Sequence, residues 1–123
     1  MKVVATTNAP AAIGPYSQAY VSGSHVFTSG QIPLDPATGA VVEGSIEAQA
    51  HQSLKNLVAV LEAAGSSADK VIKTTCFLAD MNDFAAFNEI YAAYMPSRPA
   101  RSCVAVKTLP KGVLCEVEAI AEI

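Results

Sequence analysis

Histidine, cysteine and charge are all scarce in this chain. The two histidines, His25 and His51, have no Cys, Asp or Glu nearby at metal-ligand spacing, which argues against a zinc site. Its three cysteines, Cys76, Cys103 and Cys115, are odd in number and far apart in strand-like surroundings. They read as reduced thiols rather than as a disulfide framework. No glycine-rich phosphate loop precedes a helix, and neither a dinucleotide fingerprint nor a nucleophile elbow occurs. An enzyme of this sequence is therefore expected to work without a metal or bound cofactor, by positioning and acid–base help. No apolar run approaches the ~20 residues of a membrane span. Met1–Thr6 lacks the apolar core of a secretory signal, so a cytoplasmic protein is expected. The net charge of −3 argues against a general nucleic-acid surface.

What is present in excess is apolar. Hydrophobic residues make up 51% of the 123 positions and charged residues only 15%. Residues 1–123 form one domain by length, large enough to bury a core without staples. With no membrane span to take up the surplus, the composition predicts an interface between identical subunits.

Along the chain, Val3–Thr6, Tyr16–Val21 and His25–Gln31 read as strands, the last two joined by the turn at Ser22-Gly23-Ser24. Gly30 ends the third strand, where glycine either permits a bend or lets a ligand approach the backbone. The segment from Ile32 to Gly39 holds two prolines and a glycine and reads as a structured loop. Ser45 stands as N-cap to a helix whose Ile46, Ala50, Leu54, Leu57, Val58 and Leu61 recur at three- and four-residue spacings. His51 falls off that stripe and reads as a surface residue. Val71–Ala79 is a further strand. Phe84, Phe87, Tyr91 and Tyr94 then mark the aromatic face of a second helix, capped by Asp80 or Asn82. The predicted order is three strands, helix, strand, helix and two strands. This is an α+β fold with one mixed six-stranded sheet and two helices on one face.

The last two strands, Arg98 to Val106 and Val113 to Ile120, flank the turn-forming Thr108–Gly112 and read as a hairpin. In that register Val104 and Val106 share a face with Cys115 and Val117. Arg101 and Cys103 then join Glu116 and Glu118 on the other face. Two readings stay open. One is a solvated cross-strand ion pair; the other is a site in which Arg101 grips a carboxylate and a glutamate handles a water.

Several ordered stretches go further: Gly14-Pro15-Tyr16-Ser17-Gln18-Ala19, Thr28-Ser29-Gly30-Gln31-Ile32-Pro33, Pro99-Ala100-Arg101-Ser102-Cys103-Val104, and Leu109–Gly112 with Cys115–Ala121. Together they resemble the Rid (YjgF) family, its RidA branch in particular. The resemblance implies a chorismate-mutase-like fold, a homotrimer with sites between subunits, and an enamine/imine deaminase. Such an enzyme hydrolyses 2-iminopropanoate and 2-iminobutanoate to 2-oxo acids and ammonia without a cofactor. It implies that Arg101 grips the substrate carboxylate and Glu116 handles the water. Backbone groups of Gly30 and Cys103 meet the nitrogen end, Tyr16 and Ser29 line the pocket, and Phe84 and Asn88 wall the cleft from a neighbouring subunit. Glu118 is the rival of Glu116. A non-catalytic 2-oxo-acid-binding regulatory trimer, and a relative with another substrate or ribonuclease activity, are the alternatives.

Overall fold

The computed structural model describes residues 1–123. The strands are β1 (Lys2–Val4), β2 (Ala19–Ser22), β3 (His25–Thr28), β4 (Val71–Leu78), β5 (Ala100–Ala105) and β6 (Cys115–Glu122). Helix α1 (Ile46–Ala63) lies between β3 and β4, and α2 (Phe84–Tyr94) between β4 and β5. The strands form one six-stranded sheet in the order β1-β2-β3-β6-β4-β5, in which only β4 and β5 run parallel. The predicted element order and the mixed sheet are both present.

The helices cover one face. Cys115, Val117, Ala119 and Ala121 of β6 and Thr74, Cys76 and Leu78 of β4 alternate into a core with Leu54, Leu57 and Leu61 of α1 and Phe87 of α2. Ser53 of α1 touches Cys115, and Tyr91 of α2 meets Thr74. No helix is long and apolar enough to cross a membrane.

The boundaries of β1 and β2 differ from expectation. β2 begins at Ala19 because the chain before it is turned, with the Tyr16 N–H donating to the Gly14 carbonyl. β1 ends at Val4 because Thr6 is held by the buried Gln18 side chain, which accepts from the Thr6 N–H and donates to its carbonyl. Ser45 occupies the N-cap position of α1 with extended backbone, but its side chain makes no cap bond.

The expected hairpin of the last two strands does not form: β4 lies between β5 and β6. A strand followed by a crossover helix returns parallel to its own start, so β4-α2-β5 sets β5 beside β4. β6 then pairs along the other side of β4. The register reverses the predicted faces. Arg101 pairs with Thr74 and Cys103 with Cys76, whereas Val104 and Glu116 both pair with Phe77. Paired residues share a face and residues three apart on one strand do not. Arg101 and Cys103 therefore face the helices, while Glu116, Glu118 and Val104 lie on the uncovered face.

Polar residues on α1 hold the long loop after β3. Asn56, buried, donates to the carbonyls of Leu34 (2.9 Å) and Ile32 (3.2 Å) and accepts from Gln52. Gln49 donates to the Val42 carbonyl and accepts from the Leu114 N–H. Asn56→Leu should cost about 2–4 kcal/mol, because two carbonyls lose their donor inside the fold. Urea unfolding at fixed protein concentration measures it. A change below about 0.5 kcal/mol, typical of surface sites, would mean that the loop's own turns suffice.

Candidate functional site

Arg101 is fixed by α2. Phe84, Asn88 and Tyr91 recur at four- and three-residue spacing and so share one side of that helix. The Arg101 Nη1–H donates to Asn88 Oδ1 at 2.8 Å. Its guanidinium carbon lies 4.7 Å from the Tyr91 ring centroid and 5.4 Å from that of Phe84. Tyr91 is fixed in turn, its hydroxyl 2.6 Å from the Thr74 hydroxyl on β4. A guanidinium carries five N–H donors in a planar fork. Stacking takes up its faces and Asn88 one donor, which leaves donors along the rim for an anion. Phe84 and Asn88 thus act on the arginine of their own chain.

Beside this fork runs a groove of about 610 Å³, bordered by Asn88, Tyr91, Met95, Arg98, Pro99 and Arg101. Cys103 follows on the same side of β5 and is half-buried. Burial pushes its thiol above the usual range, against the opposing pull of Arg101, so the sulfur stays protonated and poorly nucleophilic at neutral pH. Its backbone is more available. β5 is an edge strand, and the Val106 N–H donates inward to Leu78. By alternation the N–H and C=O of Cys103 point outward, unpaired within the sheet.

The second half of the predicted constellation lies on the uncovered face. Gln31 and Val117 exchange both backbone hydrogen bonds, at 2.8 and 3.2 Å, which brings the segment after β3 against β6. Gly30 is thereby laid on the Glu116 side chain. A Cβ at Gly30 would stand 2.5 Å from Glu116 Oε2 and 2.8 Å from its Cδ. Close approach thus explains this glycine better than a bend does. Burial, and secondarily the charge of Glu118, push the Glu116 carboxyl above the ordinary range. Ser29 donates through its hydroxyl to the Ser17 carbonyl and through its N–H to Gln18, tying this corner to the loop that carries Tyr16. Tyr16 is exposed. It lines a separate groove of about 660 Å³ along β1 with Val4, Thr6, Ala11 and Gln18.

One chain thus presents two candidate clusters: Arg101 with Asn88, Phe84 and Cys103 on the helix-covered side, and Glu116 with Gly30 and Ser29 on the other. The expected meeting of Arg101 and Glu116 on one surface of one sheet is wrong. Tyr91 was missed as an Arg101 support because an aromatic stripe at helical spacing reads as core. Gln18 and Gln31, both buried, were missed as loop anchors; they lie inside the ordered stretches on which the resemblance rests.

The uncovered face also carries Val3, Tyr20, Phe27 and Val104, each between 40% and 52% exposed. Val3, Tyr20 and Phe27 stand side by side across β1, β2 and β3, whereas Val104 lies on the far edge strand β5.

Comparison with known proteins agrees with the motifs. Residues 6–123 match the family described as endoribonuclease L-PSP. A Salmonella typhimurium 2-iminobutanoate/2-iminopropanoate deaminase is 56% identical over 98% of this chain and 96% of its own length. Among solved structures, a Thermotoga maritima protein superimposes with a TM-score of 0.98 at 51% identity, covering 100% of this chain and 98% of that one. Escherichia coli TdcF with bound serine gives 0.95 at 47% identity over 100% and 99% of the two chains. The matched span, the shared fold and the motifs around Gly30, Arg101 and Glu116 together place the chain in the Rid (YjgF) family.

Proposed function

We propose that this chain is an enamine/imine deaminase, hydrolysing 2-iminopropanoate and 2-iminobutanoate to the 2-oxo acids and ammonia. The observation that carries the reading is the full-length identity to a deaminase of that activity. The stacked, anchored guanidinium of Arg101 is suited to a 2-imino acid carboxylate. Serine, the ligand of the TdcF structure, carries a carboxylate next to a nitrogen-bearing carbon, as a 2-imino acid does.

The chemistry asks little of the protein. A protonated imine carbon is already electrophilic. The Arg101 fork orients the carboxylate, and the outward backbone groups of Cys103 and those of Gly30 meet the nitrogen. Glu116 takes a proton from water as its oxygen bonds to the imine carbon. That proton passes to the nitrogen; as the C–N bond breaks, Glu116 takes the remaining hydroxyl proton and hands it to the departing ammonia, so that a 2-oxo acid and ammonium leave. Ribonuclease activity is disfavoured by the net charge of −3 and by the lack of a histidine in either cluster.

Because the two clusters lie on opposite faces, the complete site takes Arg101 from one copy and Glu116 from another. A closed ring of three copies provides such clefts and covers the exposed apolar residues of the bare sheet face. The test is ammonia and 2-oxo-acid release from 2-aminoacrylate made in place by a serine dehydratase, measured above spontaneous hydrolysis. No acceleration by the folded oligomer would end the deaminase reading.

The shared site makes a sharper demand. Arg101→Ala and Glu116→Gln chains, each inactive alone, should recover activity when unfolded and refolded together. In randomly mixed trimers about a quarter of the clefts pair an intact Arg101 with an intact Glu116. No recovery in verified mixed trimers would place both residues of each site on one copy.

Glu116 must be ionised to accept the proton. Its raised pKa therefore sets an acid limb in kcat/KM above 4.5, the ordinary glutamate value, with activity rising as pH passes through it. The limb should vanish from any residual activity of Glu116→Gln. A limb unchanged by that substitution would assign the titration elsewhere.

A further inference from the structure

Three residues before Arg101 lies a second arginine in an unusual backbone state. Arg98 has φ 49°, one of only two non-glycine residues of the chain at positive φ. It also precedes Pro99, a position that disfavours helical conformations. The left-handed region is costly for a side chain with a Cβ, and such strain persists only where neighbours enforce it. Here they do: the Arg98 N–H donates to the Met95 carbonyl at 3.1 Å, and the Ser97 hydroxyl to the Val71 carbonyl at 2.8 Å.

The enforced bend brings Arg98 to the same groove as Arg101. No acidic residue lines that groove, although the chain as a whole carries a net charge of −3. Two arginines therefore line one concavity that holds no carboxylate to neutralise them. Their Cα atoms, three residues apart, are at most about 10 Å from each other. Both long side chains can reach one small molecule.

We infer that Arg98 is a specificity-determining residue which binds a second carboxylate, so that the site takes 2-imino and 2-oxo dicarboxylates of four or five carbons. This rests on the proposed role of Arg101 as the grip for the first carboxylate. Arg98 is exposed and its contribution is screened. It acts as a selector at the mouth of the groove, while the stacked Arg101 supplies the anchor.

The test compares two ligands of equal chain length, 2-oxoglutarate and 2-oxopentanoate, which differ in the second carboxylate. Their binding to the intact oligomer is measured by calorimetry at low salt, alongside 2-iminopropanoate turnover. The wild type should prefer 2-oxoglutarate by about fivefold, an exposed ion pair being worth up to about 1 kcal/mol. Arg98→Gly, which suits the positive φ, should abolish the preference, and Arg98→Lys should retain part of it. Equal binding of the two acids by the wild type, or a preference that survives in Arg98→Gly, would overturn the assignment. Absent turnover with the dicarboxylate preference intact would strike the deaminase reading and leave Arg98 in place. Turnover without the preference would do the reverse.

Discussion

Arg101→Ala should lower kcat/KM for 2-iminopropanoate by about 10²-fold or more. The estimate follows from two charge-assisted hydrogen bonds to a carboxylate, each worth about 1.5–3 kcal/mol. The effect should fall on both KM and kcat, because the carboxylate grip also aims the imine carbon at the water. Arg101→Lys should recover little of it. An ammonium keeps the charge but loses the planar fork that stacks on Tyr91 and Phe84 and donates to Asn88. Unfolding and oligomeric state should change little, since the guanidinium is half-exposed and its neighbours keep their other packing. Steady-state kinetics of the two variants beside the wild type decide the matter. An alanine variant within threefold of wild type would remove Arg101 from substrate binding.

Gly30→Ala should be nearly as damaging to activity, by about 10²-fold, while costing the fold little. The added methyl would sit 2.5 Å from Glu116 Oε2, 2.8 Å from Cδ and 3.0 Å from Cγ, too close for the carboxylate to remain. Every atom it meets belongs to one flexible side chain. The strain is therefore relieved by swinging Glu116 away, at a stability cost of about 1 kcal/mol or less. A misplaced acid–base group forfeits the 10²–10⁴-fold that general acid–base catalysis supplies. Kinetics and urea unfolding on the same preparation separate the two quantities. The idea fails if Gly30→Ala retains activity while Glu116→Gln loses it. It fails equally if both variants stay active.

These two positions also show what could be read before the structure and what could not. The element order was legible because α1 announces itself by its leucine and alanine spacing and β4 by its β-branched run. The face of β5 was not. Its alternation of Arg101 and Cys103 with Ser102 and Val104 gives parity but no direction, because the uncovered face of this sheet carries apolar side chains among its polar ones. A valine suits the uncovered side as well as the core, and an arginine can face helices when aromatic rings receive it. The hairpin failed for a related reason: proximity in sequence favoured pairing, but β4 with its four buried side chains took the place beside β6. Of the site, Arg101 and Glu116 stood out as charges in otherwise apolar strands. Their roles, and those of Gly30, Ser29 and Cys103, came only from resemblance. The buried amides of Gln49 and Asn56 carried no signal, since polar side chains on a helix ordinarily mean solvent.

The bare sheet face has a consequence in time. In the proposed trimer, folding of one chain is unimolecular, whereas its union with two others slows as the chains become dilute. Each newly made copy therefore passes through an interval in which Val3, Tyr20, Phe27 and Val104 lie open and β1 and β5 offer unpaired edges. That interval lengthens as expression falls, and during it the chain can be lost to misassociation or proteolysis. Yield of the working protein should rise more steeply than synthesis rate at low expression, and level to proportionality only once encounters outrun loss.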